Sequence, residues 1–279
     1  MTFAPEEEGG DDEEEQPTLP ANYGIYGWNV DIENSGSVSI TQQNEKSEDV
    51  FGIVSEESSI NNSGTVVING NGSAVYAGGG NLTNGGEIYL NGSGWGVYAK
   101  NGNLINNAGG NVTVNADDLA AISGLTLEGS GYQLQNNARI VLTSTGAKVT
   151  KTAKAIDGGD SSVVNSGNIT IGSSDVLFTD SYGIYNRGSI TIHAENDAAP
   201  VYGIYGQNGS VIDNEGQINI ASSKAVNTSA VFGIYGNSAE INNNGSIKIG
   251  DGGNLFNAAT GIRADNKNVN NSGTVRIYG

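Results

Sequence analysis

From Tyr23 to its end the chain repeats itself, and that repeat limits what the polypeptide can build more than any other feature. Residues 32–40, read IENSGSVSI, set the pattern apolar-x-Asn-x-Gly-x-apolar-x-apolar. The glycine recurs at Gly36, Gly64, Gly86, Gly110, Gly167, Gly188, Gly216, Gly245 and Gly273, with Ala138 in the fifth unit. Two residues on stand Val38, Val66, Ile88, Val112, Ile140, Ile169, Ile190, Ile218, Ile247 and Val275. Two further on stand Ile40, Ile68, Leu90, Val114, Leu142, Ile171, Ile192, Ile220, Ile249 and Ile277. Every residue in both columns is aliphatic, and the residues between them, such as Ser39, Thr170, Asn219 and Lys248, are mostly polar. Aliphatic in and polar out at a period of two is a half-buried strand.

A second element precedes each of these strands. Its small residue falls at Gly24, Gly52, Ala74, Gly96, Ala121, Ala155, Gly183, Gly203, Gly233 and Gly261, each followed by Ile or Val. The seventh unit is ambiguous, because residues 182–186 run straight into Gly188 and residues 176–178 offer an alternative strand. A unit this short cannot bury its apolar side chains alone, so like units must stack. An antiparallel sandwich also has short strands but does not require the same residue at the same place in every unit. The expectation is an all-β chain: a right-handed, single-stranded parallel β-helix of about ten coils over 21–279, preceded by an acidic disordered tail or linker over 1–20. That tail holds eight of the 30 acidic residues within its first fifteen positions, a density that repels itself and buries nothing.

Asn34, Asn62, Asn84, Asn136, Asn165, Asn186, Asn214, Asn243 and Asn271 each stand two residues before the repeat's small residue, and the fourth unit offers Asn107. These amides either stack as a hydrogen-bonded ladder or cap their own turns. Both readings are structural.

With 43 Gly and only four Pro, composition favours turns over helices. The net charge of −18 repels phosphate backbones, so nucleic-acid binding is not expected. The absence of cysteine excludes disulfides and thiolate chemistry. No apolar run is long enough for a membrane helix, and residues 1–20 contain no basic-then-apolar signal peptide, so Met1 reads as the start of an excised fragment.

The stacked Gly-Ile-Tyr elements and the Asn-Ser-Gly-(Ser/Thr)-aliphatic-x-aliphatic turns at 34–40, 62–68 and 271–277 resemble passenger domains of type V autotransporters of Gram-negative bacteria. The resemblance covers residues 23–279. It implies export across the outer membrane by a C-terminal β-barrel, which this chain lacks, and display at the cell surface. It also implies a role as an adhesin, biofilm or virulence factor, or as a stalk holding another domain. The implied partners are host-cell proteins, glycans or other bacterial cells. An uncapped final strand at Val275–Ile277 is expected to leave a rod edge open.

Chemistry is sparse. The single histidine, His193, has no evident nucleophile or orienting acid beside it, so no triad and no zinc site are expected. Polysaccharide hydrolases, lyases and tailspike-like proteins also use β-helices, and they make the enzymatic alternative. Asp117 with Asp118, and Asp157 with Asp160, are its nearest carboxylate pairs. No catalytic residue, metal or cofactor is assigned. The candidate binding residues are aromatic: Tyr26, Tyr76, Tyr98, Tyr185, Tyr205 and Tyr235, which follow the Gly-Ile pair. By simple alternation they share a face with the glycine and point away from the aliphatic. Such a strip stacks on sugar rings or a protein partner, or only stiffens the rod. A second aromatic set, Tyr23, Phe51, Trp95, Tyr182, Tyr202 and Phe232, is expected in the core. Longer connections around 41–50, 143–153, 193–201, 221–231 and 250–259 are expected to project from one side.

Overall fold

The computed structural model describes residues 22–42, 50–116, 122–144, 153–171, 177–179, 183–193, 200–207, 209–222, 226–253 and 255–278. These residues form three parallel sheets of ten strands each, closed around one apolar interior. Strand order within each sheet follows chain order, so every repeat adds one strand to every sheet. In the eighth repeat these are Val201–Gln207, Val211–Asn214 and Gln217–Ala221. Among the described residues there is no helix.

The third sheet keeps the register of the two aliphatic columns. Ile190 faces Ile218, Ile218 faces Ile247, and Ile192, Ile220 and Ile249 align beside them. Ile218 and Ile247 are fully buried, and each such side chain contributes about 1.5–3 kcal/mol relative to an exposed one. In the last rung Ile277 is 44% exposed.

Each coil has three strands where the sequence showed two. The extra one is the apolar-x-Asn segment itself, as in Ile32–Asn34 and Ile60–Asn62. Three residues are too few for alternation to register as a separate strand. The Asn side chains close the corner that follows. Nine hydrogen bonds run Asn to Asn from Asn34 to Asn271, each Nδ2 donating to the Oδ1 one rung further on at 2.7–3.0 Å. The same amides also bond their own corners: Gly36 N–H donates to Asn34 Oδ1, and Asn62 Nδ2 to the Gly64 carbonyl. Ladder and cap therefore coexist. In the fourth rung the ladder residue is Asn106, not Asn107, because two extra residues follow the asparagine before the next strand.

The corner glycines have a steric role. A Cβ on Gly64, Gly188, Gly216, Gly245 or Gly273 would lie 2.0–2.1 Å from the carbonyl oxygen of the glycine one rung earlier. Ala138 is the exception, and the corner beneath it differs. That corner carries two more residues and closes on itself through Gly110 N–H to the Asn107 carbonyl at 2.7 Å.

One further expectation is corrected and one open choice is settled. In the fifth rung the Gly-aliphatic pair is Gly124-Leu125, since Leu125 aligns with Val97 and Ile156, while Ile122 aligns with Gly94. Ala121 lies outside the described residues. In the seventh rung Leu177–Thr179 belongs to the first sheet and Gly183–Asn186 to the second. A unit of only 21 residues had run the two together. Of the long connections, those beginning near 221 and 250 partly extend the first sheet as Val226–Asn237 and Leu255–Asp265, with Phe256 buried. The others fall largely outside the described residues, as does the segment 1–20.

Candidate binding face

The first sheet carries the aromatic residues, and its local geometry differs from simple alternation. In Val201–Gln207, Tyr202 and Tyr205 are half-buried while Gly203 and Ile204 between them are both buried. A Cβ on Gly203 would meet Ile218 Cγ2 at 2.5 Å, and one on Gly233 would meet Ile247 Cγ2 at 2.4 Å, so the glycine faces the core. Two successive inward residues shift the pleat by one, and the first of them must be small: glycine in most of the described rungs, alanine at Ala74 and Ala155. Tyrosine therefore lies opposite the glycine, and not on its face as alternation implies. The second aromatic set is brought onto the same outer face. Tyr23, Phe51, Trp95, Tyr202 and Phe232 are not core residues, and Trp95 is 40% exposed. Tyr182 lies outside the described residues.

Register divides the face into two patches. In rungs one to four the outer columns read Tyr23, Phe51, Ser73, Trp95 and Tyr26, Val54, Tyr76, Tyr98. In rungs eight and nine they read Tyr202, Phe232 and Tyr205, Tyr235. Ser123, Thr126, Lys154 and Asp157 separate the patches. Tyr185 belongs to neither. It lies in the second sheet between Val164 and Asp213, because its Gly-Ile-Tyr sequence serves as the apolar-x-Asn strand of a shortened repeat.

The second patch is closely packed on itself. Tyr202 stacks on Phe232 at 5.2 Å and Tyr205 meets Tyr235 at 5.2 Å between ring centroids. The Arg263 guanidinium sits 5.0 Å from the Tyr235 ring, and Tyr235 donates to Asp265 Oδ2 at 2.8 Å. That hydrogen bond raises the Tyr235 phenol pKa, and the bonds from Arg263 and then Tyr235 lower the Asp265 carboxyl.

The first patch is open. Its rings and Glu56 line a cleft of about 320 Å³. Tyr76 and Tyr98 stack at 5.1 Å with 12° between planes, while Phe51 stands at 79° to Tyr76 and Trp95 at 71° to Tyr98. Tyr98 donates to Glu128, which also pairs with Lys100 at 3.1 Å. Burial first, then that hydrogen bond, pushes the Tyr98 phenol up, and the Tyr98 and Lys100 bonds lower the Glu128 carboxyl. Glu56 moves the other way: burial raises its pKa, Glu57 adds to the rise, and Lys100 opposes it. Beyond Trp95 and Tyr98 a groove of about 380 Å³ continues past Glu128 to Asp157 and Asp160.

Sequence reading missed Phe51, Trp95 and Glu56 as parts of this site. The signal available for Phe51 and Trp95 was an aromatic residue directly before the small residue of the strand, a position also held by Tyr23, Tyr202 and Phe232. Of the residues weighed for catalysis, His193 is exposed at the end of Ser189–His193, and Asp157 pairs with Lys154 at 2.6 Å. Asp117 and Asp118 lie outside the described residues. No group of three or more His, Asp or Glu among the described residues is arranged to hold a metal ion.

No protein-family model, curated protein or solved structure matches the chain.

Proposed function

We propose that this chain is a surface-exposed β-helical passenger fragment without catalytic activity, in which the rod is the stalk and the aromatic face of its first sheet makes adhesive contact. The observation that carries this is the open first patch, where aromatic rings line a cleft on the outer face of the first sheet. Aromatic side chains at such a face give large contact area at little conformational cost. The partners proposed are a host-cell protein or glycan, or a neighbouring bacterial cell, with export through the outer membrane and display at the cell surface. The test is attachment of cells or beads displaying the chain. Trp95→Ala with Tyr98→Ala should reduce attachment several-fold, with the melting temperature measured alongside. Unchanged attachment by this folded variant and by Tyr205→Ala with Tyr235→Ala would refute the reading.

A second reading, a polysaccharide-processing enzyme, is favoured by the groove in which Glu128, Asp157 and Asp160 share walls with Trp95 and Tyr98. Glycoside hydrolysis uses one carboxyl held protonated and another held ionised. Release of reducing ends from polysaccharides, lost in Glu128→Gln, would establish this reading against the first.

A further inference from the structure

The open cleft exists because two small side chains interrupt the aromatic columns. Ser73 stands between Phe51 and Trp95, and Val54 stands between Tyr26 and Tyr76. Phe51 and Trp95 are thereby two rungs apart, about 9.6 Å along the rod, which leaves room for a guest between ring systems. Ring planes around this gap take two nearly perpendicular orientations, so several aromatic surfaces can meet one compact group.

The polar lining is meagre. Among the described residues Glu56 is the only charged one lining the cleft, and the Tyr98 hydroxyl is already engaged by Glu128. A sugar would bring many hydroxyl groups to a site with few partners for them, which is costly. A primary ammonium would likewise lose a tight hydration shell for one carboxylate. An alkylated cation needs few hydrogen bonds, is attracted by ring faces, and meets a carboxylate of opposite sign. Lys100, whose charge opposes the rise in the Glu56 pKa, is paired with Glu128 at 3.1 Å.

We propose that the cleft is an aromatic cage for a trimethylammonium group of the choline type, with Glu56 as its counter-charge. The inference rests on the aromatic face being a contact surface and names the chemistry that one part of it recognises. The two are separable by experiment. Calorimetric titration of the purified chain with choline chloride should show saturable binding. Its neutral carbon isostere, 3,3-dimethylbutan-1-ol, should bind about tenfold more weakly or worse at matched ionic strength, because it lacks only the charge. Trp95→Ala and Glu56→Gln should each weaken choline binding by about fivefold or more, with circular dichroism melts showing that both variants remain folded. Equal binding of the isostere, no saturable choline signal at millimolar concentration, or binding of a neutral oligosaccharide in its place would overturn the cage. If choline fails while the aromatic variants still lose cell attachment, the cage falls and the contact face stands. Choline binding in a chain whose attachment ignores every aromatic variant has the opposite meaning.

Discussion

Gly216 and Gly36 occupy the same place in the repeat, yet alanine should have opposite effects at the two. An alanine Cβ at 216 would lie 2.1 Å from the Gly188 carbonyl oxygen and 3.0 Å from Asn186 Nδ2. A carbon–oxygen contact settles near 3.3 Å, so the rungs must separate locally by about 1.2 Å. Four hydrogen bonds span that gap: Glu215 N–H and Gly216 N–H to the Asn186 carbonyl at 2.8 and 2.9 Å, Gln217 N–H to the Gly188 carbonyl at 2.9 Å, and Asn186 Nδ2 to Asn214 Oδ1 at 2.7 Å. Such a displacement carries them to about 4 Å, past hydrogen-bonding range. At about 0.5–1.5 kcal/mol each the loss is about 2–6 kcal/mol, against a gain of up to about 1 kcal/mol from the stiffer unfolded chain. A net loss of about 3 kcal/mol is expected. At Gly36 no atom of the described residues lies nearer than Asn34 Oδ1 at 3.9 Å, and its φ is not positive. Alanine there should be neutral or stabilising by up to about 1 kcal/mol. Urea unfolding followed by far-ultraviolet circular dichroism measures both, with Gly36→Ala as the control for loss of glycine itself. Equal destabilisation by the two substitutions, or a Gly216→Ala change below about 0.5 kcal/mol, would refute the stacking argument.

Asn186 is fully buried between two ladder neighbours, so Asn186→Ala leaves the Asn165 donor and the Asn214 acceptor without it and should cost about 3 kcal/mol. Asn271→Ala removes one exposed rung end and should cost about 1 kcal/mol; chemical unfolding showing equal losses would mean that each amide serves only its own turn. Ile218→Asp places an unpaired carboxylate between Ile190 and Ile247 and should cost several kcal/mol, while Asn219→Asp, on the outer side of the same strand, should stay within about 0.5 kcal/mol by the same assay.

Much of this architecture is written in the sequence, for a reason specific to parallel in-register stacking. Each position sits on its own copy, so whatever that position requires is repeated down the chain. The columns from Val38 to Val275 and from Ile40 to Ile277, and the asparagines before the corners, were legible on that ground, and the sheets pair them as expected. The repeat did not reveal which way a side chain points where the backbone departs from the pleat. Glycine fits either face, so Gly203 between Tyr202 and Tyr205 left the side open, and only the core packed beneath it sends both rings outward. Nor does a motif carry its own rung number when repeats differ in length. Tyr185 has the local sequence of the aromatic strip, but the neighbours it pairs with place it in another sheet. The cleft between Phe51 and Trp95 is of the same kind. Ser73 and Val54 are unremarkable in sequence, and they become an opening only because stacking sets them among rings. Local sequence determined the strands and the corners. Tertiary stacking decided the faces, since a face exists only once neighbouring rungs are in place.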